Sequence, residues 1–261
     1  MAISAVAGAS APSRAARTAT LIKLSMFVLF LVIWQTLAFV LAQPDFPSFT
    51  QTLSALYYHS VSGDLIINVA ITVTRVAISF ILAMFLGSIF GIAMGARAWF
   101  NQLSDSFLII LLNVPALVVI ILSYIWIGLV EAAAITAVVI NKIPTVAVML
   151  REGARTTDPK LAQVAQVYNI PWWRFMRKIY LPQLYPFFLA AARNGLSLIW
   201  KIVLVVELLG RSDGVGFALH SMFQFFDIAG ILAYTMAFIA VVFMIEWVCF
   251  TPFDARIQRG R

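Results

Sequence analysis

The chain has 261 residues, 62% of them hydrophobic and 11% charged, with a mean hydropathy of +0.97; a soluble domain carries about a quarter charged residues, so the natural solvent here is a bilayer. The net charge of +7 does not indicate a nucleic-acid binder, which needs a basic surface facing water that so apolar a chain cannot supply. One cysteine, Cys249, excludes an internal disulfide or a Cys-based metal site, and His59 and His220 lack ligand-like spacing and read as interfacial residues.

Six runs are apolar enough to cross a membrane, which takes about 20 residues each. After an N-terminal tail (1–23), the first span covers 24–42. Arg14 and Arg17 precede it, and Val40-Leu41-Ala42 resembles a cleavage site. The run exceeds the 7–15 residues of a typical signal-peptide core, so an uncleaved helix is expected. The second span, 65–96, contains Arg75 and a stripe of Ala83, Gly87, Gly91 and Gly95 at spacing four, which lets another helix approach closely. The third (106–130) is free of charge, the fourth (132–150) holds Lys142, the fifth (182–209) holds Arg193, Lys201 and Glu207, and the sixth covers 228–250 before a basic tail, 251–261. With the N-terminus inside, the inner segments hold Arg14, Arg17, Lys23, Arg97, Arg151, Arg155, Lys160, Arg174, Arg177, Lys178, Arg256, Arg259 and Arg261, and the outer ones only Arg211. That asymmetry orients the chain with both termini cytoplasmic. The fold expected is an all-α membrane protein of six transmembrane helices.

The segment 151–181 is the one long connection. Asp158 is a helix cap and Pro159 suits the first helical position. Leu161, Val164, Ala165 and Tyr168 then share a face, Asn169 supplies a turn, and Pro171 opens a second helix. The second helix has an apolar face of Trp172, Phe175, Met176 and Ile179 and a basic face of Arg174, Arg177 and Lys178. Such a helix-turn-helix suits either an interfacial element on anionic lipid or a coupling element that docks into a cytoplasmic partner.

This segment resembles the cytoplasmic signature of permease subunits of bacterial ATP-binding-cassette importers, E-A-A-x-x-x-G, nine residues, then I-x-L-P. Here it reads Gln163-Val164-Ala165, Asn169, then Ile179-Tyr180-Leu181-Pro182, with the spacing kept. Ala165, Ile179, Leu181 and Pro182 match. Gln163, Val164 and Asn169 replace Glu, Ala and Gly, and the first change removes a charge. Glu152-Gly153-Ala154-Arg155 with Asp158-Pro159, Phe46-Pro47-Ser48, 65–95 and 207–216 are similar to the nitrate, sulfonate and taurine branch. The resemblance implies a type I importer permease of the bacterial inner membrane. It further implies a second permease subunit, cytoplasmic ATP-binding subunits gripping the signature segment, and a periplasmic solute-binding protein. Tyr168, Trp172 and Phe175 are the expected anchors into the ATPase. No G-x-x-x-x-G-K-[ST] loop is present, so no cofactor is expected on this chain and ATP is bound by the partner.

Two readings stand for the intramembrane charges. In one they pair or anchor: Glu207 with Arg211 or Lys201, Arg193 at the inner boundary, Arg75 snorkelling outward. In the other Lys142, Arg193 and Lys201, with Asn113 and Asn194, line a pathway for a small anion of the sulfonate, taurine, nitrate or bicarbonate type. Pro115 and Pro144 add interrupted backbone there. A stand-alone secondary transporter or channel is the alternative, against which no internal repeat is visible. No catalytic or metal-ligating constellation favours a membrane enzyme.

Overall fold

The computed structural model describes residues 14–259. Residues 1–13 and 260–261, with most of the expected N-terminal tail and Arg261, lie outside the described residues. In chain order the helices are α1 (Arg14–Leu41), α2 (Phe49–Val61), α3 (Leu65–Ala96), α4 (Ala98–Asn113), α5 (Ala116–Ile127), α6 (Glu131–Arg155), α7 (Pro159–Val167), α8 (Trp172–Phe175), α9 (Leu181–Gly210), α10 (Val215–Gln224) and α11 (Ile228–Arg259). A π-helical turn, Met176–Tyr180, joins α8 to α9. Among the described residues, five helices are long and apolar enough to span a membrane, and α4 with α5 makes a sixth, bent span.

That bend corrects the third span. The run 106–130 is not one straight helix: α4 and α5 meet at 95°. The cause is Pro115, which excludes Val114 from the helical region (φ −69°, ψ 125°) and offers no N–H of its own. The second helix of the long connection is also not separate. It runs on from Trp172 to Gly210 without a break. The wider π-turn, in which Leu181 N–H donates to Met176 O, takes up the ring of Pro182, which in a regular helix crowds the carbonyl four residues back.

The centre is the parallel packing of α3 on α6, with α9 antiparallel across both. A Cβ on Gly87 would lie 2.7 Å from Val146 Cβ, one on Gly91 would overlap the Ala147 backbone, and one on Gly95 would overlap Ala154. With Ala83 fully buried, these positions bring two backbones together where no side chain fits. Val76, Met84, Val138, Val146, Leu196, Ile199 and Val203 form the core around them. Tyr124 ties α5 to α9 by donating its hydroxyl to Val206 O at 2.8 Å.

α2 opens on a capping box: Ser48 accepts from Gln51 N, and Gln51 reaches back to Ser48 N. Trp34 of α1 donates to Pro47 O at 3.1 Å and meets Phe49 edge-on. Otherwise α1 stands away from the bundle, with 6% of its apolar window buried.

Candidate functional site

At the Arg151 end, residues 158–182 form an elbow. Asp158 Oδ1 accepts from Lys160 N at 2.9 Å and starts α7. Ala165 is buried, and its carbonyl accepts from Ile170 N at 2.8 Å as the chain turns back. Asn169 makes that turn at φ +49°. Gln183 ties the two arms, accepting from Asp158 N at 3.4 Å and donating to Ile179 O at 3.0 Å. The elbow's aromatic face is split. Phe175, Met176 and Ile179 are half-buried, but Tyr168 is 75% and Trp172 71% exposed on either side of the turn. Gln163, Arg174, Arg177, Leu181 and Pro182 are exposed beside them. At the base, Arg151 pairs with Asp105 of α4 and with Glu152.

The opposite end holds a charged node that sequence reasoning missed. Arg75 is 3% exposed and does not snorkel. Its Nε and Nη2 donate to Glu131 at 2.6 and 2.8 Å, Nη1 to Glu207 Oε1 at 2.8 Å, and Nη2 to Asp213 Oδ1 at 2.6 Å. Glu207, fully buried, therefore pairs with Arg75 rather than with Arg211 or Lys201. It also accepts from Thr72 Oγ1 at 2.9 Å and Gly216 N at 2.8 Å. Arg211 instead reaches Glu131 at 3.0 Å. The amides that open α10 are capped from α3: Gly214 N donates to Asn68 Oδ1 and Val215 N to Thr72 Oγ1, both at 2.9 Å. Gly214 sits at φ +96°, and any Cβ there would strike the Glu207 carboxylate. One arginine serving three acids from three other segments leaves no local spacing. The available signal was that Arg75 and Glu207 lie toward the same side of the membrane as the connections that hold Glu131 and Asp213.

The five polar positions proposed along a pathway do not form one cluster. Asn113 is exposed at the end of α4, with its amide turned back on Ile109 O at 2.8 Å. Arg193, Asn194 and Lys201 lie on the exposed side of α9. Lys142 is 5% exposed and has no hydrogen bond or ion pair among the described residues.

Residues 83–251, which include the elbow, most of the core and the acids of the node, match the family described as binding-protein-dependent transport system inner membrane component. The chain belongs to this family. The permease is thus a multi-pass inner membrane component of a binding-protein-dependent transport system. It is 32% identical over 164 residues to the putative aliphatic sulfonates transport permease protein SsuC of Bacillus subtilis, covering 63% of this chain and 59% of that relative. It is 25% identical over 179 residues to the taurine transport system permease protein TauC of Escherichia coli, covering 69% and 65%. Both names fall in the branch that residues 152–155 with 158–159, 46–48, 65–95 and 207–216 resemble. A solved amino acid ABC transporter shares the fold, with a TM-score of 0.58 over 80% of this permease and 98% of that chain, at 19% identity.

Proposed function

We propose that two copies of this permease form the membrane pathway of an ATP-driven importer for a small anion of the sulfonate, taurine, nitrate or bicarbonate type. Both termini lie in the cytoplasm, and a periplasmic binding protein delivers the solute. Separate cytoplasmic subunits bind and hydrolyse ATP and grip residues 151–182. ATP acts by binding one arrangement of the assembly better than the other.

The observation that carries this reading is the exposure of Tyr168 and Trp172 on either side of the Asn169 turn. Two large aromatics held outward on a hydrogen-bonded elbow, among Arg174, Arg177 and Lys178, suit insertion into a protein groove. The charge asymmetry of the sequence supports a cytoplasmic elbow. The sulfonate and taurine names of the relatives support an anionic solute.

The test replaces Tyr168 and Trp172 by Ala together, in permease co-expressed with the ATPase and binding protein. Each side chain is mostly exposed, so the permease itself retains its thermal stability. Truncating two anchors removes on the order of 2 kcal/mol or more each, so the ATPase dissociates during purification and ATP-dependent uptake in proteoliposomes stops. An ATPase still bound at the unsubstituted level refutes the docking role. Uptake without ATP refutes the importer, and uptake of cations alone refutes the anionic solute.

A further inference from the structure

The open polar face of α9 and the buried Lys142 share one depth. At one end α6 and α9 are level where Arg211 meets Glu131 at 3.0 Å. At the other, Phe187 fills the space beside Gly153, with its Cγ 2.6 Å from where a Cβ would stand. Lys142 lies midway between Glu131 and Gly153, and Lys201 within two residues of the midpoint between Arg211 and Phe187. Each is therefore about 15 Å of helix rise from the level of the Glu131–Arg211 pair. Asn194, Ser197 and Lys201 are exposed at helical spacing along α9, and Asn141 and Thr145 are half-exposed on α6.

An ammonium at that depth is too far from either end for a four-carbon stem to bring it to headgroups. It therefore does not face hydrocarbon. Neither lysine has an ion pair among the described residues, and Glu207, the nearest buried acid in sequence, is already held by Arg75, Thr72 and Gly216. We infer that Lys142 and Lys201 form a single cationic layer at mid-membrane that selects an oxyanion, with the Asn194–Ser197–Lys201 face lining a wet passage opposite a second copy of the chain. This rests on the proposed function and adds to it the place and charge of the selective step. The counter-charge is the solute itself: a sulfonate, nitrate or carbonate group that accepts hydrogen bonds from the open Lys201 and Ser197, while the enclosed Lys142 adds its positive field at the same depth.

The test is independent of the natural solute. In the reconstituted complex, with Cys249→Ser removing the native thiol, Ser197→Cys is exposed to an anionic and a cationic methanethiosulfonate of similar size. Rates are normalised to those of a small free thiol. The anionic reagent reacts faster by on the order of tenfold or more, and Lys201→Gln, at an exposed position that folding tolerates, removes much of that preference. Lys142→Met, which replaces a buried cation by an apolar chain of similar length, removes most of the rest. No reaction with either reagent, a cationic preference, or a preference unchanged by Lys201→Gln each overturns the layer. Uptake measured alongside separates the two readings. If uptake needs ATP but no anionic preference exists, the layer alone fails; if the preference exists but uptake ignores ATP, the importer fails and the layer stands.

Discussion

Replacing Arg75 by Met strands a carboxylate. Glu207 is fully buried, and after the change only Thr72 and the Gly216 amide remain to it, at 2.9 and 2.8 Å. Removing one partner from a buried ion pair costs about 3–5 kcal/mol, because the surviving charge stays desolvated. Glu131 and Asp213 lose their cation as well, but each is partly exposed and Arg211 lies near both, so they add little. Glu207→Gln is milder. Arg75 keeps Glu131 and Asp213, and the loss is that of hydrogen bonds to a charged group, about 1.5–3 kcal/mol. Pairing Arg75→Met with Glu207→Leu removes both charges, and the double variant is more stable than the sum of the single losses by about 2 kcal/mol. The assay is survival of monodisperse permease in detergent after heating, read by size exclusion. At roughly 2–4 °C per kcal/mol for a chain near this size, Arg75→Met lowers the midpoint by on the order of 10 °C. A shift below about 2 °C, or strictly additive losses in the double variant, refutes the claim that the node stabilises this end of the bundle through the Arg75–Glu207 pair.

Two further substitutions probe the packing and the elbow. Gly91→Val pushes a side chain into the Ala147 backbone, where nothing can give way by rotating; the loss is about 3 kcal/mol, at the upper end for overpacking, and is measured as the yield of monodisperse protein, with Gly91→Ala intermediate. Asn169→Val places a β-branched residue at φ +49° and costs about 1–2 kcal/mol, whereas Asn169→Gly is neutral. Amide exchange at Ile170, whose N–H donates to Ala165 O, quickens roughly 5–30-fold in the Val variant only.

The number and character of the spans were legible because hydropathy is a local property. A run such as 65–96 declares its solvent without knowledge of its neighbours. The elbow was legible for a similar reason: Asp158, Pro159 and Asn169 act on the backbone next to them. The direction of a helix is not written in hydropathy, so the 95° turn at Pro115 was hidden inside a charge-free run that read as one crossing. The length of a helix past a proline depends on whether the backbone can widen, and the π-turn ahead of Pro182 let the fifth span begin at Trp172. The charged node was the least accessible. Arg75 finds its acids 56, 132 and 138 residues away, and nothing near Arg75 distinguishes a buried hub from a side chain reaching for the headgroups. Lys142 and Lys201 looked alike in sequence, yet one is enclosed and the other open.

The uninterrupted helix from Trp172 to Gly210 has its near end in the elbow and its far end clamped through Glu207. A rod clamped at one tip and nudged at the other swings about the clamp instead of sliding. Any sideways step of the elbow would therefore be largest near Trp172 and fade toward Glu207, so the bundle would part first at the elbow end while the tip beside Arg75 served as the fulcrum.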